Sequence, residues 1–304
     1  MSKPLSSLFL SILLLGSSSA IVPQAFAKTA TSVKAEAPGV APQYDTTHVY
    51  VSAQDFEKFT NSLVATFGGS KSKQGVFQVT PTPSQTMSQL VMTPVGTFSV
   101  FGFKTPVPYP FGAERTGYLV KDIDQAVSSA KANGADVLVE TFTDPVGRDA
   151  VIQWPGGVNM QLYWHTKPSK YAELKTVPEN RVYVSKHRAD TFVQNFVKFS
   201  HGKVISDDAK AAGVEIGRPN DHYRRIRIES DFGKMTVLVT DGHLPYPYGH
   251  EMTGYEVKNV TETLDKAQKS GAKVLVKPFK ADARESAILE FPGGYIAEIH
   301  APTQ

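Results

Sequence analysis

The chain has 304 residues, of which 41% are hydrophobic and 20% are charged, and its formal net charge is +3. This composition is that of a soluble globular protein with enough length for two domains. The charge is too small to favour nucleic acid or an acidic membrane surface as a partner. Because there is no cysteine, disulfides, thiol chemistry and lipid attachment at a cysteine are excluded.

The N-terminal residues have the pattern of a secretory signal peptide. Lys3 precedes the apolar run LFLSILLLG at 8–16, and Ala25-Phe26-Ala27 fits a small-x-small cleavage site. The apolar run is shorter than the roughly 20 residues of a spanning helix. We therefore predict cleavage after Ala27 (signal peptide 1–27), no stable membrane insertion afterwards, and a periplasmic or secreted protein. Residues 28–45 lack periodicity and predict a flexible leader.

Residues 46–104 predict a module of one strand, one helix and three further strands. The strand THVYVS opens it at 47–52, and a helical pattern runs through QDFEKFTNSLVATFG. The β-rich runs GVFQVT, SQLVMT and TFSVFGFK follow. PVPYPFG then predicts a rigid turn between modules. The same order recurs at 115–165, from the strand TGYLV through a helix ending at Asn133-Gly134 to the strand NMQLYW.

The second half of the chain repeats the first. HVYVS at 48–52 returns as RVYVS at 181–185, and RTGYLVK at 115–121 returns as MTGYEVK at 252–258. A repeat of this size indicates duplicated domains. We predict an α+β fold of four βαβββ modules in two tandem domains joined by a linker at 166–178. The domains are 46–165, with modules 46–104 and 115–165, and 179–302, with modules 179–240 and 252–302.

Alternation with a period of two places polar side chains on the sheet face away from the helices. Val49 and Val51 belong to the helix-covered face, which leaves His48 and Tyr50 on the other face. The same rule gives that face further polar residues in the later strands: Gln161, Tyr163, Arg225, Arg227, Glu298 and His300. This polar concave surface is our candidate site.

With these features the sequence resembles the vicinal oxygen chelate superfamily of glyoxalases, extradiol dioxygenases and bleomycin-resistance proteins. The resemblance is carried by HVYVSAQD at 48–55, TGYLVKDIDQAVSSAKANGADVLV at 116–139 and DPVGRDAVIQWPGGVNMQLY at 144–163, with a counterpart ending FPGGYIAEIH. It covers nearly all of residues 46–301. It implies tandem domains of paired modules that curl into open barrels around a divalent metal such as Fe, Mn, Zn or Ni. A fold alone does not fix a reaction.

The family's ligand positions, transferred by resemblance, fall on His48, Arg115 and Gln161 in the first domain and on Arg181, Met252 and Glu298 in the second. If neighbouring modules pair, neither domain keeps a metal site, because arginine has no lone pair to donate. If module one pairs with module four and two with three, as in some tandem glyoxalase-like proteins, His48 and Glu298 share a cleft. His250 would then supply a second imidazole, and two histidines with a carboxylate suit a divalent metal. Both pairings stay open at this point.

The resemblance leaves two functional hypotheses. The first is a secreted glyoxalase-like or dioxygenase-like enzyme that acts on a small molecule with vicinal oxygens; His48, His250 and Glu298 hold its metal, and Glu298 is catalytic. The second is a metal-free protein that binds or sequesters a small molecule, as the bleomycin-resistance branch does. In both, these residues are expected to contact the small molecule: Tyr50, Arg115, Gln161, Arg181, Arg225, Arg227 and Glu256. The alternative for Glu298 is a structural ion pair with Arg181.

Overall fold

The chain folds as four copies of one βαβββ unit, and in the first copy the strand after the helix is split into two short strands that pair with the same neighbour. The computed structural model describes residues 41, 43, 46–174 and 177–303, so the predicted signal peptide and residues 28–40 of the leader lie outside it. The first module comprises β1 (Thr47–Ser52), α1 (Phe56–Phe67), β2 (Ser70–Lys71), β3 (Gly75–Phe77), β4 (Thr86–Thr93) and β5 (Gly96–Phe103). The second comprises β6 (Gly117–Leu119), α2 (Ile123–Ala132), β7 (Asp136–Thr143), β8 (Gly147–Trp154) and β9 (Val158–His165).

The third and fourth modules repeat this order. The third comprises β10 (Glu179–Ser185), α3 (Lys186–Ser200), β11 (Lys203–Ala212), a 3₁₀ turn (Gly213–Ile216), β12 (His222–Ser230) and β13 (Gly233–Thr240). The fourth comprises β14 (Met252–Glu256), α4 (Val260–Lys269), β15 (Lys273–Ala281), β16 (Arg284–Glu290) and β17 (Ile296–Pro302). The predicted α+β fold of four βαβββ modules is confirmed.

The repeat extends to the helix caps. The side chain of Asp122 accepts a hydrogen bond of 3.0 Å from the backbone N–H of Gln125 at the start of α2. The side chain of Asn259 accepts one of 2.8 Å from the backbone N–H of Glu262 at the start of α4. Short polar side chains at this position satisfy backbone donors that the helix leaves unpaired. Both helices therefore begin at the same point of their module.

Neighbouring modules meet through their first strands. In the second half, one eight-stranded sheet has the order β11-β12-β13-β10-β14-β17-β16-β15, with Arg181 opposite Met252 where β10 meets β14. In the first half, β1 meets β6 through an antiparallel bridge between Thr47 and Thr116. The backbone N–H of His48 also donates to the carbonyl of Arg115 at 3.0 Å. The first barrel is therefore built from modules one and two, and the second barrel from modules three and four.

The other pairing occurs in the hydrophobic cores. Modules one and four share one core, in which the ring of Phe59 lies edge-on to the ring of Phe291 at 6.2 Å between centroids. Modules two and three share another, in which Trp154 packs against Phe199 at 5.1 Å. The helix-covered faces of the two barrels thus pack against each other. The predicted alternative, in which modules one and four surround one polar cleft, is therefore wrong. These two modules share a hydrophobic core, and the polar inner faces belong to barrels of neighbouring modules.

The end of the predicted leader is attached to the first barrel. The backbone N–H of Ala41 donates to the carbonyl of Leu119 at 3.0 Å. The side chain of Gln43 is buried; it donates to the same carbonyl at 2.7 Å and accepts from the Leu119 N–H at 3.0 Å. At these two positions the leader is hydrogen-bonded to β6, and the glutamine amide takes the place of a strand partner. Within the described ranges no helix has the length and apolar character to cross a membrane.

Candidate functional site

The inner face of the first barrel carries a buried histidine. The side chain of His48 is 3% exposed, packs edge-on against Phe101 at 5.5 Å between ring centroids, and forms a hydrogen bond with Gln161. Burial lowers the pKa of His48 to about 4, against the effect of the Gln161 hydrogen bond. The imidazole is therefore neutral at neutral pH. Its Nδ1 is buried and has no hydrogen-bond partner among the described residues.

A glycine shared by the two halves makes room for this side chain. A Cβ atom on Gly117 would lie 2.2 Å from the Nε2 of His48. In the second barrel, a Cβ atom on Gly254 would lie 2.7 Å from a carboxylate oxygen of Glu298 and 3.1 Å from the Cδ of Arg181. The glycine of the repeated TGY stretch is thus needed in each barrel for the close approach of inward side chains.

A tyrosine and a glutamate extend the site. The hydroxyl of Tyr50 donates to Oε1 of Glu114, and the ring of Tyr50 lies 5.2 Å from the ring of Phe101. Glu114 is fully buried, and its Oε2 has no hydrogen-bond partner in the described part of the chain. Burial raises the pKa of Glu114 to about 7, although hydrogen bonds from Tyr50 and from the backbone of Glu114 and Gly112, together with the charge of Arg115, act in the opposite direction. We call His48, Tyr50, Phe101, Glu114 and Gln161 the first-barrel site.

The corresponding centre of the second barrel is an ion-pair network. The guanidinium of Arg181 is 3.0 Å from Oε1 of Glu179 and 3.9 Å from Oε1 of Glu298, and all three side chains are at most 5% exposed. The other oxygen of Glu298 lies 2.8 Å from Nδ1 of His300. Burial alone would raise the pKa of Glu298, but Arg181 and His300 hold it below its usual value. Glu298 is therefore an ionised, paired carboxylate, as the structural alternative predicts.

Arg225 belongs to a second group of pairs in the same barrel. Its guanidinium donates to Glu215 and to Asp282, and Glu215 also accepts a hydrogen bond of 2.8 Å from the hydroxyl of Tyr223. Arg284 belongs to the ion-pair network of Arg181, because it donates two hydrogen bonds to Glu179, at 3.1 and 2.9 Å. The Arg181 and Arg225 side chains, both expected to contact a substrate, are thus held by carboxylates.

The predicted metal site is not formed. His48 lies in the first barrel, Glu298 lies in the second, and His250 is exposed in the connector before β14. The described residues contain no group of three histidine, aspartate or glutamate side chains that could hold a metal ion. The predicted convergence of His48, His250 and Glu298 is not found among the described residues, because the barrels form from neighbouring modules. The catalytic role predicted for Glu298 stays a prediction.

The donor sets at the family's ligand positions do not fit a divalent metal in either barrel. The first barrel supplies an imidazole and an amide that bond to each other, and the second places a guanidinium beside the carboxylate. Met252, the third position of the second barrel, packs in an apolar cluster with Tyr248 and Ile288. A guanidinium cannot ligate a metal, and it supplies the positive charge that the carboxylate would otherwise take from the ion.

The remaining predicted residues are distributed between the barrels. Tyr50 and Gln161 lie in the first-barrel site, and Arg115 is close enough to Glu114 to lower its pKa. Glu256 lines a small cavity of about 80 Å³ together with Glu179 and His300. Glu114 is not predicted by the sequence pattern, because it lies in the irregular connector after PYPFG, where alternation gives no indication of burial.

Solved structures share this fold at low sequence identity. A 4-hydroxymandelate synthase mutant from Streptomyces coelicolor is 10% identical, with a TM-score of 0.53 over 88% of this chain and 93% of that chain. A Mn(II)-bound glyoxalase from Novosphingobium aromaticivorans is 13% identical, with a TM-score of 0.52 over 88% and 84%. The 2,3-dioxygenase LapB from Pseudomonas sp. KL28 is 10% identical, with a TM-score of 0.51 over 88% and 94%.

The chain has the vicinal oxygen chelate fold. No family model matches the sequence, and no curated protein matches it either. At these identities the likeness concerns the arrangement of the four modules and does not extend to a reaction.

Proposed function

We propose that the protein binds a small organic molecule in the first-barrel site and does so without a metal. The observation that carries this proposal is a pair of buried polar atoms, Nδ1 of His48 and Oε2 of Glu114, that have no hydrogen-bond partner within the described ranges of the chain. Buried polar groups in folded proteins are nearly always paired, and an unpaired one costs about 1–3 kcal/mol. A ligand that bonds to both atoms would remove that cost.

The groups around these atoms indicate the chemistry of the ligand. The neutral imidazole of His48 can donate or accept, and a carboxyl with a pKa of about 7 is partly protonated at neutral pH. The rings of Tyr50 and Phe101 supply an apolar wall. An uncharged molecule with a hydroxyl or carbonyl group on an aromatic or apolar frame fits this combination.

A metal-independent site follows from the donor set. One of the solved structures is a Mn(II)-bound glyoxalase by its name. In this chain, the positions that the family resemblance assigns to metal ligands hold a histidine bonded to an amide and an arginine bonded to carboxylates. The hypothesis of a metal-dependent enzyme is therefore less well supported than that of a metal-free binding protein.

Ligand screening by saturation-transfer difference NMR tests the proposal. The library contains small aromatic and carbonyl compounds, and the protein is kept in chelator. We expect hits with the wild type and with His187→Ala, a control at an exposed histidine of α3, and their loss with His48→Ala. Hits that persist in His48→Ala would contradict the proposed location.

Metal analysis tests the second part of the proposal. The protein is incubated with Fe²⁺, Mn²⁺, Zn²⁺ and Ni²⁺, dialysed, and compared with a His48→Ala, Glu298→Ala double variant by plasma mass spectrometry. We expect substoichiometric metal in both proteins. One divalent ion per chain in the wild type, lost in the double variant, would overturn the metal-free proposal.

A second candidate function is proton transfer on the bound molecule. It is favoured by Glu114, whose pKa of about 7 lies in the range of an effective general base and whose partner is a tyrosine hydroxyl. The test is deuterium exchange of protons adjacent to a carbonyl, followed by NMR over a panel of α-hydroxy carbonyl compounds. Exchange that is catalysed by the wild type and abolished in Glu114→Gln would favour an isomerase-type enzyme; no catalysed exchange would favour a binding protein.

We also propose that the protein is exported to the periplasm or secreted. The support is the sequence pattern of Lys3, the apolar run at 8–16 and the Ala25-Phe26-Ala27 site. N-terminal sequencing of the protein from a periplasmic or medium fraction is expected to begin at Lys28. A protein recovered only with Met1 intact in the cytosolic fraction would contradict export.

A further inference from the structure

A row of side chains crosses the inner face of the second barrel beside the ion-pair network. Ser206, Arg227, Thr236 and Arg181 are direct cross-strand partners on four adjacent strands, β11, β12, β13 and β10. Cross-strand partners point to the same side of a sheet and lie about 4.8 Å apart from strand to strand. Ile226 and Ile228, the neighbours of Arg227 along β12, belong to the hydrophobic core, so the row faces the barrel interior.

Each member of this row has a buried polar atom without a hydrogen-bond partner among the described residues. These atoms are the hydroxyl oxygens of Ser206 and Thr236 and the Nε of Arg227 and Arg181. Thr236 and Arg181 are 1% and 4% exposed, whereas Ser206 and Arg227 are half-buried. The row therefore leads from the solvent-accessible side of the barrel to its interior. All four groups can donate a hydrogen bond, so together they match an acceptor-rich ligand.

Arg227 is also less compensated than Arg181, Arg225 and Arg284, the other arginines of the ion-pair groups. Arg181, Arg225 and Arg284 each contact a buried glutamate at 3.1 Å or less. The only carboxylate within ion-pair distance of Arg227 in the described chain is Asp282, at 3.6 Å and shared with Arg225. Burial lowers the pKa of Arg227, and repulsion by Arg225 and Arg284 lowers it further. A single negative charge beside Arg227 would relieve this repulsion.

We propose that Ser206, Arg227, Thr236 and Arg181 form a binding site for a small organic carboxylate in the second barrel. The planar guanidinium of Arg227 matches the two oxygens of a carboxylate, and the hydroxyls of Ser206 and Thr236 can donate to the same group. A monoanion is favoured over a dianion because Arg227 shares the nearby carboxylate of Asp282 with Arg225, whereas Glu298 and Asp282 would repel a second negative charge. This site is separate from the first-barrel site, and it does not depend on the function proposed there.

Isothermal titration calorimetry with acetate, benzoate and inorganic phosphate tests this proposal. Arg227→Gln removes the proposed anchor. Arg224→Gln is the matched control, since Arg224 precedes Arg225 on the opposite face of β12, where it pairs with the exposed Asp190 and Asp207. We expect acetate or benzoate to bind to the wild type and to Arg224→Gln, and to bind at least tenfold more weakly to Arg227→Gln. His48→Ala is expected to leave this binding unchanged, which separates the result from that of the first-barrel site.

A second variant guards against misfolding of Arg227→Gln. Arg227→Lys keeps the positive charge but loses the planar guanidinium that can donate two parallel hydrogen bonds. This variant is expected to bind carboxylates with an affinity between those of the wild type and Arg227→Gln. The proposal is overturned if none of the three anions binds to the wild type. The polar atoms of the row would then be hydrated and would not bind a ligand. The proposal is also overturned if Arg224→Gln and Arg227→Gln weaken binding equally. Phosphate bound in preference to both carboxylates would overturn the assignment to a monoanion.

Discussion

Replacement of Glu114 by glutamine should change the pH dependence of folding. Glu114 is fully buried, and burial raises its pKa from 4.5 to about 7. Between these values the folded state holds a proton that the unfolded state releases. The free energy of unfolding therefore falls as the pH rises through this window, and the contribution is flat above about pH 7. Glutamine has nearly the same shape as glutamate but cannot ionise. The free energy of unfolding of the variant therefore lacks the decrease that ionisation of Glu114 causes.

The size of the effect follows from the pKa difference. At about 1.4 kcal/mol per pH unit, a pKa displaced from 4.5 to about 7 corresponds to roughly 3 kcal/mol of pH-linked free energy. Relative to the wild type, Glu114→Gln should gain stability by an amount of this order between about pH 5 and about pH 8. The pKa of Glu251, which burial raises to about 8, is raised further by the charge of Glu114, so the loss of that charge in the variant changes the stability in the same direction.

Urea unfolding followed by circular dichroism, at pH values between about 5 and 8, measures this difference. The control is Glu140→Gln, at an exposed position of β7, which should give a curve parallel to that of the wild type. A Glu114→Gln curve that also runs parallel to the wild type would refute the reasoning. It would mean that Glu114 is ionised throughout this range and that Tyr50 and Arg115 outweigh its burial.

Two further substitutions test the packing of the barrels. Arg181→Met removes a cation from two buried glutamates and should lower the free energy of unfolding by about 3–5 kcal/mol. The control Arg148→Met, in an exposed pair, should lower it by less than about 1 kcal/mol. Equal losses of stability in urea unfolding would contradict the stabilising role of the ion-pair network. Gly117→Ala places a methyl group against the His48 imidazole, should cost about 1–3 kcal/mol and should move the imidazole NMR signals of His48. Gly254→Ala, in the other barrel, should leave those signals in place, and a Gly117→Ala spectrum identical to the wild type would count against the close approach.

The elements and the inner faces were predictable because they depend on local patterns. The first strand was predicted at 47–52 and is observed as Thr47–Ser52. Alternation correctly placed Val49 and Val51 in the hydrophobic core and His48 on the opposite face. These patterns depend on the two-residue period of a strand, which the chain carries whatever its partners are.

The composition of the site was less predictable because it depends on which strand edges meet. Nothing local in the sequence decides whether β1 joins β6 or β14, and that choice separates His48 from Glu298. Glu114 lies in a connector without periodicity, and its burial results from the fold around it. The glycine of TGY leaves space for His48 and Glu298, a use that the local sequence pattern does not indicate.

The side-chain NMR spectrum of His48 provides the most direct test of metal-free binding in the first barrel. The strongest hit of the ligand screen is added to ¹⁵N-histidine-labelled protein in the presence of chelator. The structure predicts that the Nδ1 signal of His48 shifts with the ligand while the signal of the exposed His187 does not. An unmoved His48 signal, or one that shifts only after a divalent metal is supplied, would contradict the account.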